Sequence, residues 1–396
     1  MQKYVIIGNG IAGISAAETI RSLDPDGTIT IIAREEFPPY SRPMISMVLE
    51  GVITHDRLMI RDRDFYARLG IEALIGEEAV SMDVDCCCVK TDKGRVVEYD
   101  RLLIASGADP RPIKAEGLSL GNISYLRTEA HVDKMLQALP DVREALVLGG
   151  GLVGFKAAYG LLRQGRKVTM LIRSDHPLSM QVDAAAGGLI LDELTANGLD
   201  VRVEVEATAF EGNGVVREAH LSDGSRLPCQ MAVIGKGVMP ADSFIPRERI
   251  NVDLGIVVDE HLQTGVPGVF AAGDVAQAMD VVRQESWVNA IWPVAVEQGR
   301  VAGANMTGRP VVYQGSMGRN VMRIFGLDVL TGGVVNPPSE EGLTVLRRLD
   351  PVRKTYRKVM LQDDRLVGVA MVGGIEQGGV MIALMQRQLP LTVDPE

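Results

Sequence analysis

One feature of this sequence constrains its fold more than any other: a pattern of apolar strand, glycine loop and small-residue helix that occurs twice, about 140 residues apart. The first copy is a strand over 4–7, a loop of Gly8, Asn9, Gly10, Ile11, Ala12 and Gly13, a helix through Ala16 and Ala17, and a strand over Thr28–Ala33. The second is a strand over 145–148, a loop of Gly149, Gly150, Gly151, Leu152, Val153 and Gly154, a helix through Leu162, and a strand over Lys167–Ile172. In such a βαβ unit the first glycine permits the tight turn. The second lets backbone approach a pyrophosphate, and the third lets the helix pack on the strand. Helix N–H groups then face the anion. A lone loop of this kind is weak evidence, but two in the demanded context predict two dinucleotide folds.

An acidic residue about twenty positions beyond such a loop accepts ribose hydroxyls. In the first unit Glu35 and Glu36 stand there, and Glu35 is the expected ligand. In the second unit the position holds Arg173 and Ser174. A carboxylate there suits NAD and an arginine can pair with a 2′-phosphate, so NAD(H) is expected with NADP(H) left open.

At 396 residues, 46% of them hydrophobic, the chain has room for two or three domains with separate cores. Its 43 glycines follow no collagen-like period, so they mark turns and close backbone approaches. A formal net charge of −10 with scattered arginines argues against a nucleic-acid groove. No apolar stretch reaches the roughly 18 residues of a membrane helix, and Met1 leads into the first strand without a basic leader. A cytoplasmic protein is expected. Cys86, Cys87, Cys88 and Cys229 offer no C-x-x-C pair and no zinc spacing. They are expected as small buried or half-buried strand residues, with no metal site.

Between the two units, 84–91 and 96–99 flank Asp92, Lys93 and Gly94 as a hairpin, and 102–105 returns as a buried strand. After the second unit come strands over 201–205, Val215–Leu221 and Met231–Ile234, with a turn at Ser222, Asp223 and Gly224. From about residue 310, glycine-punctuated strands carry no further nucleotide loop and form a third domain.

Three further stretches complete a pattern with the two loops: Pro39, Tyr40, Ser41, Arg42 and Pro43; the ten residues 99–108, YDRLLIASGA; and Val269, Phe270, Ala271, Ala272, Gly273 and Asp274. In that order they make nearly the whole chain resemble the FAD-dependent pyridine nucleotide-disulfide oxidoreductase superfamily, in the branch of rubredoxin, ferredoxin and nitrite reductases and NADH oxidases. The resemblance implies an α/β fold with two Rossmann-like dinucleotide-binding domains plus a small α+β C-terminal interface domain. The FAD domain would be discontinuous, 1–112 and 240–309, with an NAD(P) domain at 113–239 and the C-terminal domain at 310–396.

By the same resemblance FAD would be held by Gly8, Gly10, Ile11, Ala12, Gly13, Glu35, Arg42 and Pro43, and by Ala105, Ser106 and Gly107. Val80 would touch its adenine half and Arg127 its flavin half. Gly273 and Asp274 would meet the ribityl or phosphate region while opening a helix aimed at the diphosphate. Pro293, Val294 and Ala295, followed by Gln298 and Gly299, resemble a helix whose N-terminal dipole stabilises negative charge on the flavin. NAD(P) would take Gly149, Gly151, Leu152, Val153, Gly154, Lys156, Arg173 and Gly235. Trp287 and Trp292 are expected in the core.

The chain also departs from the superfamily pattern. Disulfide reductases carry a cysteine or a pair on the helix after the first βαβ unit, whereas the stretch from Tyr40 to Met47 has none. Electrons are therefore expected to leave for oxygen or an external carrier, without a redox-active disulfide. Met47 stands where many oxygenase-coupled reductases place a lysine. Lys156 stands where relatives usually have glutamate near the nicotinamide, and a cation there can orient a carboxamide or pair with an acid.

Lys156, together with Asn289, Ala290, Ile291, Trp292 and Pro293 and with Phe325, Gly326 and Leu327, resembles FAD subunits of anaerobic multisubunit oxidoreductases such as phenylglyoxylate dehydrogenase and tungsten-dependent aldehyde oxidoreductase. The expected activity is hydride exchange between nicotinamide and FAD, whose rings must meet at roughly 3–3.5 Å, and single-electron exchange with an iron–sulfur partner subunit or small electron carrier. Two readings stand beside it: a free-standing NADH oxidase or rubredoxin/ferredoxin reductase, acting as a homodimer, and a non-catalytic flavin module for redox sensing or assembly. None requires a catalytic side chain beyond the flavin, Lys156 being the one candidate.

Overall fold

The computed structural model describes residues 1–391, which leaves 392–396 of the expected C-terminal domain outside the described residues. The chain forms two compact units. One comprises Met1–Ser41, Leu58–Asp109 and Met239–Gly318, the other Arg42–Arg57, Pro110–Val238 and Arg319–Glu396.

The first unit is built on a parallel sheet whose strands lie in the order Val269–Ala271, Arg101–Ile104, Lys3–Ile7, Thr28–Ala33 and Ile71–Ile75. Its central strands are continuous apolar runs because both faces are covered. Ile6, Ile31 and Leu103 enter one core together with Ile14 and Ile20 of the helix Ile11–Leu23. Val5, Ile7, Ile32 and Ile104 enter another on the opposite face. A three-stranded antiparallel sheet of Ala79–Asp83, Cys88–Thr91 and Val96–Glu98 is inserted in sequence between the parallel strands Ile71–Ile75 and Arg101–Ile104.

The second unit repeats this plan. Its parallel sheet has the order Ile123–Tyr125, Met231–Ile234, Glu144–Leu148, Lys167–Ile172 and Asp200–Val203, and its antiparallel companion is Ala207–Asn213, Val215–Leu221 and Arg226–Pro228. Lys3 pairs with Thr28 in the first sheet as Glu144 pairs with Lys167 in the second, and each register runs for five residues. The duplication read from the glycine loops thus extends to whole sheets. The second unit also contains an antiparallel sheet ordered Arg319–Ile324, Leu327–Gly333, Arg365–Val372, Thr355–Gln362 and Thr344–Asp350, with the helix Gly378–Arg387. This is the α+β portion expected at the C-terminal end.

Three expectations need correction. The hairpin around Gly94 forms, but its first strand begins at Cys88, and Cys86 and Cys87 occupy an exposed turn in which Cys87 takes φ +50°. The Asp83 carboxylate causes this by accepting the N–H groups of Asp85 and Cys86, which turns the chain before the strand can start. Cys88 is half-buried and Cys229 buried, as expected. Trp287 and Trp292 are half-buried rather than core residues, and Trp287 lies under the Arg283 guanidinium, 4.1 Å from the ring centre. Asp274 opens no helix: it sits in a turn where Ala276 N–H returns to the Gly273 carbonyl, and the strand Ala276–Asp280 follows.

Candidate functional site

Each parallel sheet ends in a glycine loop, and the two loops assign the same task to each glycine. Gly8 and Gly149 both have φ +116°, a conformation open to glycine, and a Cβ on either would collide with the carbonyl of the neighbouring strand's end, Ala105 or Gly235. Gly13 and Gly154 face the carbonyls of Gly8 and Gly149 so closely that no side chain fits. Gly10 and Gly151 are different. Each is the N-cap of its helix, at φ −78° and −97°, and a Cβ on either would meet nothing within 4 Å.

The middle glycines therefore face open space at the starts of the helices Ile11–Leu23 and Leu152–Arg163. Neither helix has a side-chain cap or an acidic residue in its first turn. Their first N–H groups and positive dipole ends are thus left for an anion. Ile11, Ala12, Leu152 and Val153 supply these first turns.

Around the first loop several expected residues converge. Ala105 is buried, and its N–H donates to the Ile7 carbonyl. The Ser106 hydroxyl donates to the Ala241 carbonyl at 2.7 Å, and Gly107 takes φ +75°. Gly273, at φ +83°, lies so close to the first helix that a Cβ would stand 3.1 Å from that of Ala12 and 3.7 Å from that of Ala295. Ala295 belongs to the helix Trp292–Met306, which carries Pro293 in its first turn and has no acidic residue there. Val294 and Ala295 are buried.

That helix reaches the first loop through Gln298 and Gly299, already part of the expected pattern, and through Gly303, which was not. A Cβ at Gly299 would strike the Ala12 carbonyl, and one at Gly303 would lie 2.8 Å from the Ala16 carbonyl. Gln298, 2% exposed, accepts the Gly273 N–H at 2.8 Å. The i, i+4 glycine pair was the available sign that another helix approaches closely. Asn9 accepts the Tyr66 hydroxyl at 2.8 Å, a contact between distant segments that spacing does not announce.

Glu35 is half-buried and accepts the Tyr40 hydroxyl at 2.6 Å. Arg34 beside it is engaged elsewhere, with Asp109 and Glu78. Val80 is half exposed and marks a bulge between Ala79 and Ser81.

In the second unit Arg42 donates to the Arg127 carbonyl at 2.9 Å, which brings two of the expected FAD residues together. The Lys156 ammonium donates to the Pro43 carbonyl at 3.2 Å. Desolvation lowers its pKa, and Glu50 offsets this in part. Arg173 is exposed, 3.8 Å from Glu206, whose carboxylate also pairs with Lys236 at 2.7 Å. Sequence reasoning missed Glu206 and Lys236 because they arrive at this edge from two connecting segments distant in the chain.

Residues 2–299 match the pyridine nucleotide-disulphide oxidoreductase family, and 319–389 match the rubredoxin NAD+ reductase C-terminal domain. The chain belongs to the pyridine nucleotide-disulphide oxidoreductase family. FAD and NAD(P)H are the cofactors of this family, and both loops fit them, since each presents an open glycine and uncapped helix N–H groups to a pyrophosphate.

Among family relatives, nitrite reductase [NAD(P)H] of Bacillus subtilis is 28% identical over 393 residues, 99% of this chain and 48% of the relative. The assimilatory nitrate reductase electron transfer subunit of the same organism is 28% identical over 99% of this chain and 50% of its own length. The chain thus spans about half the length of these two relatives. The NADH-dependent phenylglyoxylate dehydrogenase subunit epsilon of Aromatoleum evansii is 31% identical over 98% of this chain and 93% of that one. Among solved structures, the covalent putidaredoxin reductase–putidaredoxin complex superposes with a TM-score of 0.88 at 26% identity, covering 98% of this chain and 94% of the other.

Proposed function

We propose that this chain is an FAD-dependent NAD(P)H oxidoreductase subunit that exchanges hydride with a nicotinamide nucleotide and single electrons with an iron–sulfur partner. The observation that carries the reading is the matched pair of open glycines, Gly10 and Gly151, each at an uncapped helix start. Two equivalent pyrophosphate cradles in one chain serve two dinucleotides.

In this reading FAD belongs with 1–112 and 240–309, the nicotinamide nucleotide with 113–239, and 310–396 forms the interface domain. Bound FAD supplies the exchange between two-electron and one-electron chemistry. The protein's own part is to hold and to tune. Gly8, Gly13, Ala105 and Gly273 bring backbone together around the first cradle, and Asp274, Glu35 and Val80 lie along the path of the nucleotide. The first turn of Trp292–Met306 directs its positive end toward negative charge. Arg42, Pro43, Arg127 and Lys156 supply cations and carbonyls to the flavin and nicotinamide.

NAD(H) is the favoured nucleotide, because the Glu206 carboxylate stands 3.8 Å from the Arg173 guanidinium and sets a negative charge beside the group that would otherwise take a 2′-phosphate. The phenylglyoxylate relative is likewise named as NADH-dependent. The partner reading draws on that same likeness, and on a segment from Tyr40 to Met47 that contains no thiol to carry electrons away. Among the described residues no helix is long and apolar enough to cross a membrane; a cytoplasmic place is part of the proposal.

A second reading is a free-standing, homodimeric rubredoxin or ferredoxin reductase, favoured by the match of 319–389 to the rubredoxin NAD+ reductase C-terminal domain. Native purification followed by mass and metal analysis separates the two. An iron-rich complex that NADH reduces through the flavin is the expected result. An iron-free homodimer that reduces added rubredoxin or ferredoxin would replace the first reading with the second.

A further inference from the structure

The loop 173–183 joins the strand Lys167–Ile172 to the helix Ala184–Ala196. It begins at Arg173, the position that faces the nucleotide's ribose in the function proposed above. It then doubles back onto the second glycine loop. Leu178, 2% exposed and at φ +54°, donates its N–H to the Gly150 carbonyl at 2.8 Å. A branched residue in that conformation persists only where its surroundings over-determine it. The loop closes on itself as Val182 N–H returns to the Leu178 carbonyl at 2.9 Å and His176 Nε2 stands 3.1 Å from the Val182 carbonyl.

The remaining constraints come from the C-terminal portion of the chain. The Asn336 amide donates to the carbonyls of both Ser179 and Val182, each at 2.8 Å. It therefore fixes the turn between those residues instead of merely covering it. At the loop's end Asp183 accepts the Ala186 N–H as a helix cap and the Tyr356 hydroxyl, and lies 3.8 Å from Lys358 and 3.6 Å from Arg347. Tyr356 and Lys358 are 1% and 2% exposed, so these two members of the cluster are desolvated and geometrically demanding. The next turns of the same helix are gripped at Glu193, which accepts the Gly326 N–H and pairs with Lys354.

We propose that the C-terminal sheet is a working part of the nicotinamide-nucleotide site, with Asn336 as a positioning residue that holds the 173–183 loop against Gly150 and thereby shapes the cradle at Gly151. The inference rests on the proposed function, in which that cradle holds NAD(P)H. Asn336 is exposed, so its removal leaves the core intact.

The test compares unmodified protein with Asn336→Ala and Asn336→Asp, both loaded with FAD, by equilibrium binding of NAD+ and by steady-state reduction of ferricyanide with NADH. The expected result is a roughly 3- to 10-fold rise in the NAD+ dissociation constant and in KM for NADH, the range of one or two lost hydrogen bonds. FAD content and kcat should stay within error of the unmodified protein, and the thermal midpoint should fall by no more than a few degrees, the cost of one or two hydrogen bonds. A purely structural contact would lower the thermal midpoint in the same way but leave KM unchanged. If unmodified protein binds NAD+ and Asn336→Ala binds it equally well, this proposal fails and the function stands. Failure of the unmodified protein to bind either nucleotide would overturn both.

Discussion

Gly8 and Gly10 differ by two positions and by what a methyl group would meet. At Gly8 it would enter the Ala105 carbonyl from a backbone at φ +116°, whereas at Gly10 it would meet empty space from an ordinary φ of −78°. Gly8→Ala should therefore lose about 1–3 kcal/mol or more of stability, as overpacking and backbone strain act together. Gly10→Ala should lose at most about 1 kcal/mol, the preference of a helix cap for glycine over alanine, because no clash or strain adds to it. Paired denaturant titrations of the two variants check this. Equal losses would mean that Gly10 also serves the fold and that no cradle is held open there. The division of labour among the glycines was legible in the sequence. The partners of Glu35, Lys156 and Arg173 were not, because Tyr40, Pro43 and Glu206 reach them through the tertiary fold.

Strands and helices followed the sequence closely wherever burial dictated the pattern. Thr28–Ala33, Lys167–Ile172 and Met231–Ile234 form as expected because strands covered on both faces carry apolar residues on successive buried positions. Expectation failed where side chains redirected the backbone, as at Asp83, and where a resemblance was read as a helix after Asp274. The join between the helix Ala184–Ala196 and the C-terminal sheet was equally hidden, since Asp183 is far in the chain from Tyr356 and Lys358. Its charges make it sensitive to acid. Burial pushes the Asp183 carboxyl up, but the Tyr356 hydroxyl, the Ala186 N–H, Lys358 and Arg347 outweigh it and hold the pKa below its ordinary 3.8. Burial also raises Glu193, and Lys354 with the Gly326 N–H brings it below 4.5. Both folded values are depressed, so their stabilisation is complete above the unfolded values and is lost as pH falls through the folded ones. Unfolding midpoints should hold level from neutrality down to about pH 5 and fall below about pH 4. Asp183→Asn should flatten that acid limb, and an unchanged limb would remove Asp183 from the account.

At the scale of the whole molecule the chain is one plan used twice, with the α+β sheet added to the second unit. Duplication explains why so much of the architecture could be read early: a second copy turns a weak motif into a strong one, and the paired sheets carry it through. The identity of the electron partner was not legible, because partner choice resides in surfaces and not in cradles. The central claim is that one cradle holds FAD and the other a nicotinamide nucleotide, and anaerobic NADH titration of Gly10→Val and Gly151→Val beside the unmodified protein tests it most directly. The account predicts that the unmodified protein is yellow and bleaches with NADH, that Gly151→Val stays yellow but resists bleaching, and that Gly10→Val loses its flavin. A folded Gly10→Val that keeps FAD, or a Gly151→Val that bleaches as readily as the unmodified protein, would contradict it.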